Sequence, residues 1–210
     1  IDNESYFSGP KPYGDWLYDL EKFSFFCNAA LSALPVIGFK PDVVHCHDWQ
    51  TGLIPVYLKD RFRGGEFFAN MKSVMTIHNL KFQGVWDVKT IQRFSMLPDY
   101  YFTPDKLEAY KDGNMLKGGI VFADAITTVS QTYAEEIKMP FYGEGLDGLM
   151  RARAGDLRGI VNGIDYDEFN PETDKLIAQP YNARNFRKEK GKNKKQLQAQ
   201  LGLPVDEKKF

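Results

Sequence analysis

Apolar positions fall into two rhythms along this chain. Trp16, Leu20, Phe23, Cys27, Ala30, Leu31 and Leu34 recur at three to four residues, the period of one helix face, and this stripe reads as core. Asp15 is placed to cap that helix, and Pro35 and Gly38 to end it. Ahead of it, Ser8-Gly-Pro-Lys-Pro-Tyr-Gly14 reads as loop. The second rhythm is four short apolar runs at 42–47, 73–78, 125–130 and 157–162, rich in β-branched residues and too short for helices. Helical spacing at 52–59, 115–123 and 131–138 separates them. Strand alternating with helix predicts an α/β, Rossmann-like fold with a mostly parallel sheet and helices on both faces.

Two segments break the alternation. Residues 83–113 form a long, aromatic, irregular insertion expected to contain helical pieces and to be functional or a lid. Arg184, Arg187, Lys188, Lys190, Lys192, Lys194 and Lys195 crowd together with only Glu189 opposing them. A solvated linker or surface helix fits that run better than a nucleic-acid arm. The chain is therefore divided into a domain at 1–183 and a basic linker at 184–210.

Composition narrows the class. A 43% hydrophobic content excludes disorder. Lys and Arg total 27 against 28 Asp and Glu, a net charge of −1, so no overall field draws the chain to nucleic acid or to an anionic membrane. No apolar run approaches the ~20 residues that span a bilayer, and no secretory leader opens the sequence, which reads as soluble and cytoplasmic. Cys27 and Cys46 are too few for a disulfide framework and read as buried thiols. The first residue is not Met and 206–210 ends without a cap or closing strand, so a piece of a longer protein is expected.

Chemistry gathers at the strand ends. His45, His47 and Asp48 close the first run, His78 and Asn79 the second, Ser130 the third, and Asn162 with Asp165 the fourth. Open α/β sheets bind ligands beyond the carboxyl ends of their strands, which favours function for Asp48 and His78. Ser130 is as readily a helix cap. His45 and His47 could start a zinc site, as in a zinc-dependent hydrolase, but with His78 and Gln50 alone to complete it no metal is expected; buried imidazoles bonded to backbone are the preferred reading. Gly143-Glu-Gly145-Leu-Asp-Gly148 matches a dinucleotide fingerprint in letters only, because no strand precedes it, and reads as a turn or close approach at a helix start. No nucleophile elbow is present.

Five segments in order, Pro41-Asp-Val-Val-His-Cys-His-Asp-Trp-Gln-Thr-Gly52, Thr76-Ile-His-Asn-Leu-Lys-Phe-Gln-Gly84, Ala123-Asp-Ala-Ile-Thr-Thr-Val-Ser130, Tyr142-Gly-Glu-Gly-Leu-Asp-Gly-Leu149 and Val161-Asn-Gly-Ile-Asp165, resemble the motif series of bacterial glycogen synthases and plant starch synthases. The likeness runs over about residues 1 to 203 and is not expected of sucrose or trehalose-phosphate glucosyltransferases. It implies the first domain of a two-domain glycosyltransferase fold and retaining transfer of glucose from ADP-glucose to the non-reducing end of an α-1,4-glucan such as glycogen, without a cofactor. It further implies catalytic roles for His78 and Asp48 at the transferred glucose, and substrate contacts at Asn162, Tyr13 and Asn79. That family's phosphate-approaching Lys-Thr-Gly-Gly-Leu loop and its second domain have no counterpart in this sequence, so the chain alone is expected to be inactive. A non-catalytic glucan-binding module is the remaining alternative.

Overall fold

A computed structural model describes residues 3–209, which divide into two compact units, Ile1–Val161 and Asn162–Phe210. The first opens with α1 (Glu4–Phe7) and α2 (Trp16–Val36). The Asp15 carboxylate accepts the Leu17 N–H at 2.9 Å and caps α2 as its position predicts. The helix carries Pro35 in its last turn and stops before Gly38, which takes a φ of +68°. Leu20, Cys27 and Leu31 are buried from this helix.

The chain then alternates: β1 (Val43–His47), a 3₁₀ turn at Trp49–Thr51, α3 (Leu53–Asp60) and β2 (Lys72–Ile77). The irregular insertion holds β3 (Val85–Asp87), α4 (Val88–Ser95), β4 (Glu108–Ala109) and β5 (Asp112–Asn114). These three strands form a small antiparallel sheet in the order β3-β5-β4, which their length of two or three residues hides from pattern reading. After it come α5 (Met115–Phe122), β6 (Ala125–Thr128), α6 (Gln131–Glu136), α7 (Asp147–Ala152) and β7 (Leu157–Gly159). All four predicted strands exist and pair in parallel in the order β1-β2-β6-β7.

That order determines where the helices lie. Each strand is added on the same side of the one before it, and right-handed crossovers then place every connecting helix on one face. Cys46, Met75, Ile77, Ile126, Thr128 and Leu157 are buried on that face, with Gly119 of α5 against the Met75 side chain. On the opposite face Val43, His45, His47 and Lys72 are exposed. The parallel sheet and its flanking helices are as expected.

Asp124 locks the sheet at the end away from the site. Its carboxylate accepts the Ser73 N–H at 2.8 Å and faces the ammonium groups of Lys59 at 3.2 Å and Lys72 at 3.3 Å. Burial alone would raise its pKa, but the Ser73 N–H and the two lysines hold it below the usual carboxylate range.

In the second unit α8 (Phe186–Gln200) carries most of the basic run, with Arg187, Lys188 and Lys190 exposed, as a surface helix would. Asn193 anchors it, accepting the Gln179 N–H at 2.8 Å and donating to the Gln179 carbonyl at 2.7 Å.

Candidate functional site

The parallel register sets His47 beside Thr76 and carries both chains to a common crest. The Asp48 N–H extends the ladder to the Thr76 carbonyl at 3.0 Å. Asp48 then takes a φ of +56°, a conformation costly for a residue with a side chain, of the kind that concentrates at functional sites. This turn swings its carboxylate across to β2, where Oδ1 accepts the His78 N–H at 2.8 Å. Sequence reasoning placed Asp48 and His78 at adjacent strand ends, and the fold brings them into contact.

The His78 ring is exposed, and its Nε2 lies 3.0 Å from Nδ1 of His47. Asn79 beside it is exposed, and its Oδ1 accepts the Lys81 N–H at 3.0 Å, closing a tight turn. His45 bonds the Thr76 hydroxyl at 2.7 Å, which reaches the Thr127 hydroxyl at 2.5 Å. The histidines of β1 are thus neither buried nor bonded to backbone, contrary to expectation. They stand on the sheet face opposite Cys46, on the edge strand, exposed, and find side-chain partners instead. Their rings lie 4.3 Å apart. Thr51 clasps the His47 backbone, its hydroxyl accepting the N–H at 2.6 Å and donating to the carbonyl at 2.8 Å. Partial desolvation of its ring, then His45 and His78, hold His47 less basic than a free histidine, with Asp48 opposing. Among the described residues no group of three His, Cys, Asp or Glu is arranged to hold a metal ion.

Beside Asp48 a cavity of about 390 Å³ is lined by Tyr13, Trp16, Asp19, Trp49, Gln50 and Phe82. Gln50 Nε2 donates to the Tyr13 hydroxyl at 2.7 Å, and Asp19 Oδ1 accepts the Gly14 N–H at 2.9 Å, fixing the loop that carries Tyr13. Trp16, read from its spacing as core, is 59% exposed and stacks on Trp86 at 4.3 Å. Phe82 is exposed as well. Neither was legible as a site residue. The available signal was the first-turn position of Trp16, one residue past its cap and three past Tyr13.

Other candidates resolve differently. Ser130 caps α6, its hydroxyl accepting the Tyr133 N–H at 2.9 Å. The glycine-rich segment is a turn packed on the start of α7, with the Gly143 Cα against Asp147 and the Glu144 carbonyl accepting from Gln83 Nε2 at 2.9 Å. Asn162 is exposed at the start of the second unit, where Asp165 Oδ1 caps its own turn by accepting the Asp167 N–H at 2.9 Å.

A family model described as the starch synthase catalytic domain matches residues 1–152. The chain is 69% identical, over its whole length, to a glycogen synthase of Lachnospira eligens and 48% identical, over 97% of its length, to one of Geobacillus thermodenitrificans. It spans 44% and 42% of those two relatives. Among solved structures it is similar to the catalytic domain of starch synthase IV from Arabidopsis thaliana bound to ADP and acarbose. There the TM-score is 0.74 at 34% identity, covering 92% of this chain and 39% of that one.

Proposed function

The chain belongs to the starch synthase catalytic-domain family, and from that premise we propose that it forms the acceptor-side domain of a cytoplasmic, retaining glucosyltransferase. The longer protein moves glucose from ADP-glucose to the non-reducing end of an α-1,4-glucan. The C1–oxygen bond to the diphosphate breaks, C1 bonds the acceptor hydroxyl oxygen, ADP departs and the hydroxyl proton is released. Because this chain spans less than half of its relatives, the transfer belongs to the longer protein, and residues 184–210 serve as a linker within it.

The observation that carries the reading is the Asp48–His78 contact at 2.8 Å beside the aromatic cavity. A glucan offers apolar C–H faces and many hydroxyls. Exposed rings of Tyr13, Trp16 and Phe82, with Asp48 and Gln50 beside them, answer both needs. His78 and Asp48 act at the transferred glucose, where a hydrogen bond that tightens as C1 gains oxocarbenium character lowers the barrier. Asn79 and Asn162 supply donor-sugar contacts, and Tyr13 the acceptor side. That the Arabidopsis starch synthase IV catalytic domain is bound to ADP and acarbose supports a site for a nucleotide-sugar donor and a glucan acceptor.

The test is steady-state kinetics on the full-length protein with His78→Ala and Asp48→Asn, beside Lys89→Ala at an exposed site. Losing one preorganised partner should lower kcat by about 10²- to 10³-fold. A folded site variant that retains more than about a third of wild-type kcat/KM would overturn the assignment of that residue.

A further inference from the structure

We propose that His47 is a positioning residue that sets the proton on His78, so that His78 turns an unprotonated Nδ1 toward the sugar and accepts a hydrogen bond from one of its hydroxyls. The inference rests on the proposed function for its ligand, but its geometry stands in the chain itself.

Nδ1 of His47 and Nε2 of His78 are 3.0 Å apart, so one hydrogen lies between them. A neutral imidazole has one donor nitrogen and one acceptor. If His78 donates, both rings carry hydrogen on Nε2, the tautomer histidine prefers when free. If His47 donates, both carry it on Nδ1, and both are disfavoured. The first arrangement therefore wins while the pair is neutral. It leaves His78 Nδ1 with a lone pair and no partner among the described residues.

The surroundings keep His47 neutral and still. From β1 the His45 ring lies 4.3 Å away, with its own Nε2 on Thr76, and from the crest His78 faces it; a cation at either opposes protonation of His47, whereas Asp48 favours it. Thr51 holds the His47 backbone from both sides. A proton added to His47 would make its Nδ1 an obligatory donor and force His78 into the opposite tautomer. The group facing the sugar would then change from acceptor to donor.

Nitrogen NMR of the imidazoles in the 210-residue chain at neutral pH, without substrate, tests this directly. The expected result is His78 with Nδ1 unprotonated and a slowly exchanging Nε2–H. His47→Phe should speed exchange of that proton about tenfold or more, the factor a hydrogen bond of ordinary net strength supplies. His47→Asn, whose Oδ1 stands near the lost Nδ1, should restore the slow exchange. A His78 protonated on Nδ1, or an Nε2–H whose exchange ignores His47→Phe, overturns the proposal. Should His47→Phe fail to fold, the wild-type tautomer and the His47→Asn exchange rate decide. A tautomer held as expected while His78→Ala keeps full transferase activity would sink the sugar reading and leave the proton assignment standing.

Discussion

The carboxylate of Asp48 binds the backbone N–H of His78 rather than its ring, at 2.8 Å, across the ends of two neighbouring strands. Asp48 thereby fixes where His78 starts, while His47 fixes where its ring points. Asp48→Asn retains Oδ1 as an acceptor, so its stability should stay within about 1 kcal/mol of wild type. Asp48→Ala removes the acceptor and should cost about 1–2 kcal/mol, since a hydrogen bond to a charged group is worth up to ~3 when buried and this one is partly solvated. Thermal melts of both variants check this. Equal melting temperatures would show that the contact does not hold the crest.

Gly84 closes the segment after His78 with a φ of +64°, and a β-carbon there would come within 2.6 Å of the Trp49 ring. Trp49 also packs on Phe23 and Trp86, so it has no room to retreat. Gly84→Ala therefore combines backbone strain with overpacking and should cost about 2–4 kcal/mol. Urea melts should show a lower midpoint at an unchanged slope; a midpoint at the wild-type value would contradict the packing.

How much of this was legible depended on the scale of the signal. The four strands were, because β-branched runs between helical stretches leave few other assignments, and so were Asp48 and His78, because polar residues ending apolar strands share one crest. The antiparallel sheet of β3, β4 and β5 was not, since two- and three-residue strands carry no period. The setting of His45 and His47 was not either: which sheet face is covered follows from strand order, and strand order is a property of the whole sheet. Trp16 was misread because helical spacing marks a stripe without saying where along it the core stops.

The aromatic cavity makes a direct prediction about glucan. Maltoheptaose should quench tryptophan fluorescence of the isolated chain and do so without a nucleotide sugar. Trp16→Ala should weaken binding by about fivefold or more, roughly 1 kcal/mol for one lost stacking face. Binding equal to wild type would remove Trp16 from the acceptor side. A chain that binds maltoheptaose beside a full-length protein that transfers no glucose would instead favour the glucan-binding module.

Both thiols are fully buried, Cys27 on α2 donating to the Gln50 carbonyl at 3.2 Å. Burial pushes the Cys46 thiol up to about 12 and Cys27 higher still. Neither should react with a thiol reagent at pH 8 in the native chain, and both should react in urea. Rapid labelling of either in the folded protein would show that the core around α2 and the Trp49–Thr51 turn opens.

The lowered basicity of His47 makes stability depend on pH in a direction that can be fixed in advance. In the unfolded chain His47 titrates near its ordinary value of 6.5, and in the folded chain lower. Between those values the unfolded state binds more protons, so stability rises with pH. His47 therefore opposes folding progressively as pH falls from about 7 through its folded-state pKa, and it adds no slope above. His47→Asn keeps an acceptor for His78 but cannot titrate, so it removes this one contribution and leaves the rest of the profile in place. Urea melts of both proteins from pH 7.5 to pH 5 should therefore diverge on acidification, with wild type losing more stability than the variant. Parallel profiles would mean that His47 protonates as freely in the folded chain as in the unfolded one, and the neutral pair on which the orientation of His78 depends would not be held by the fold.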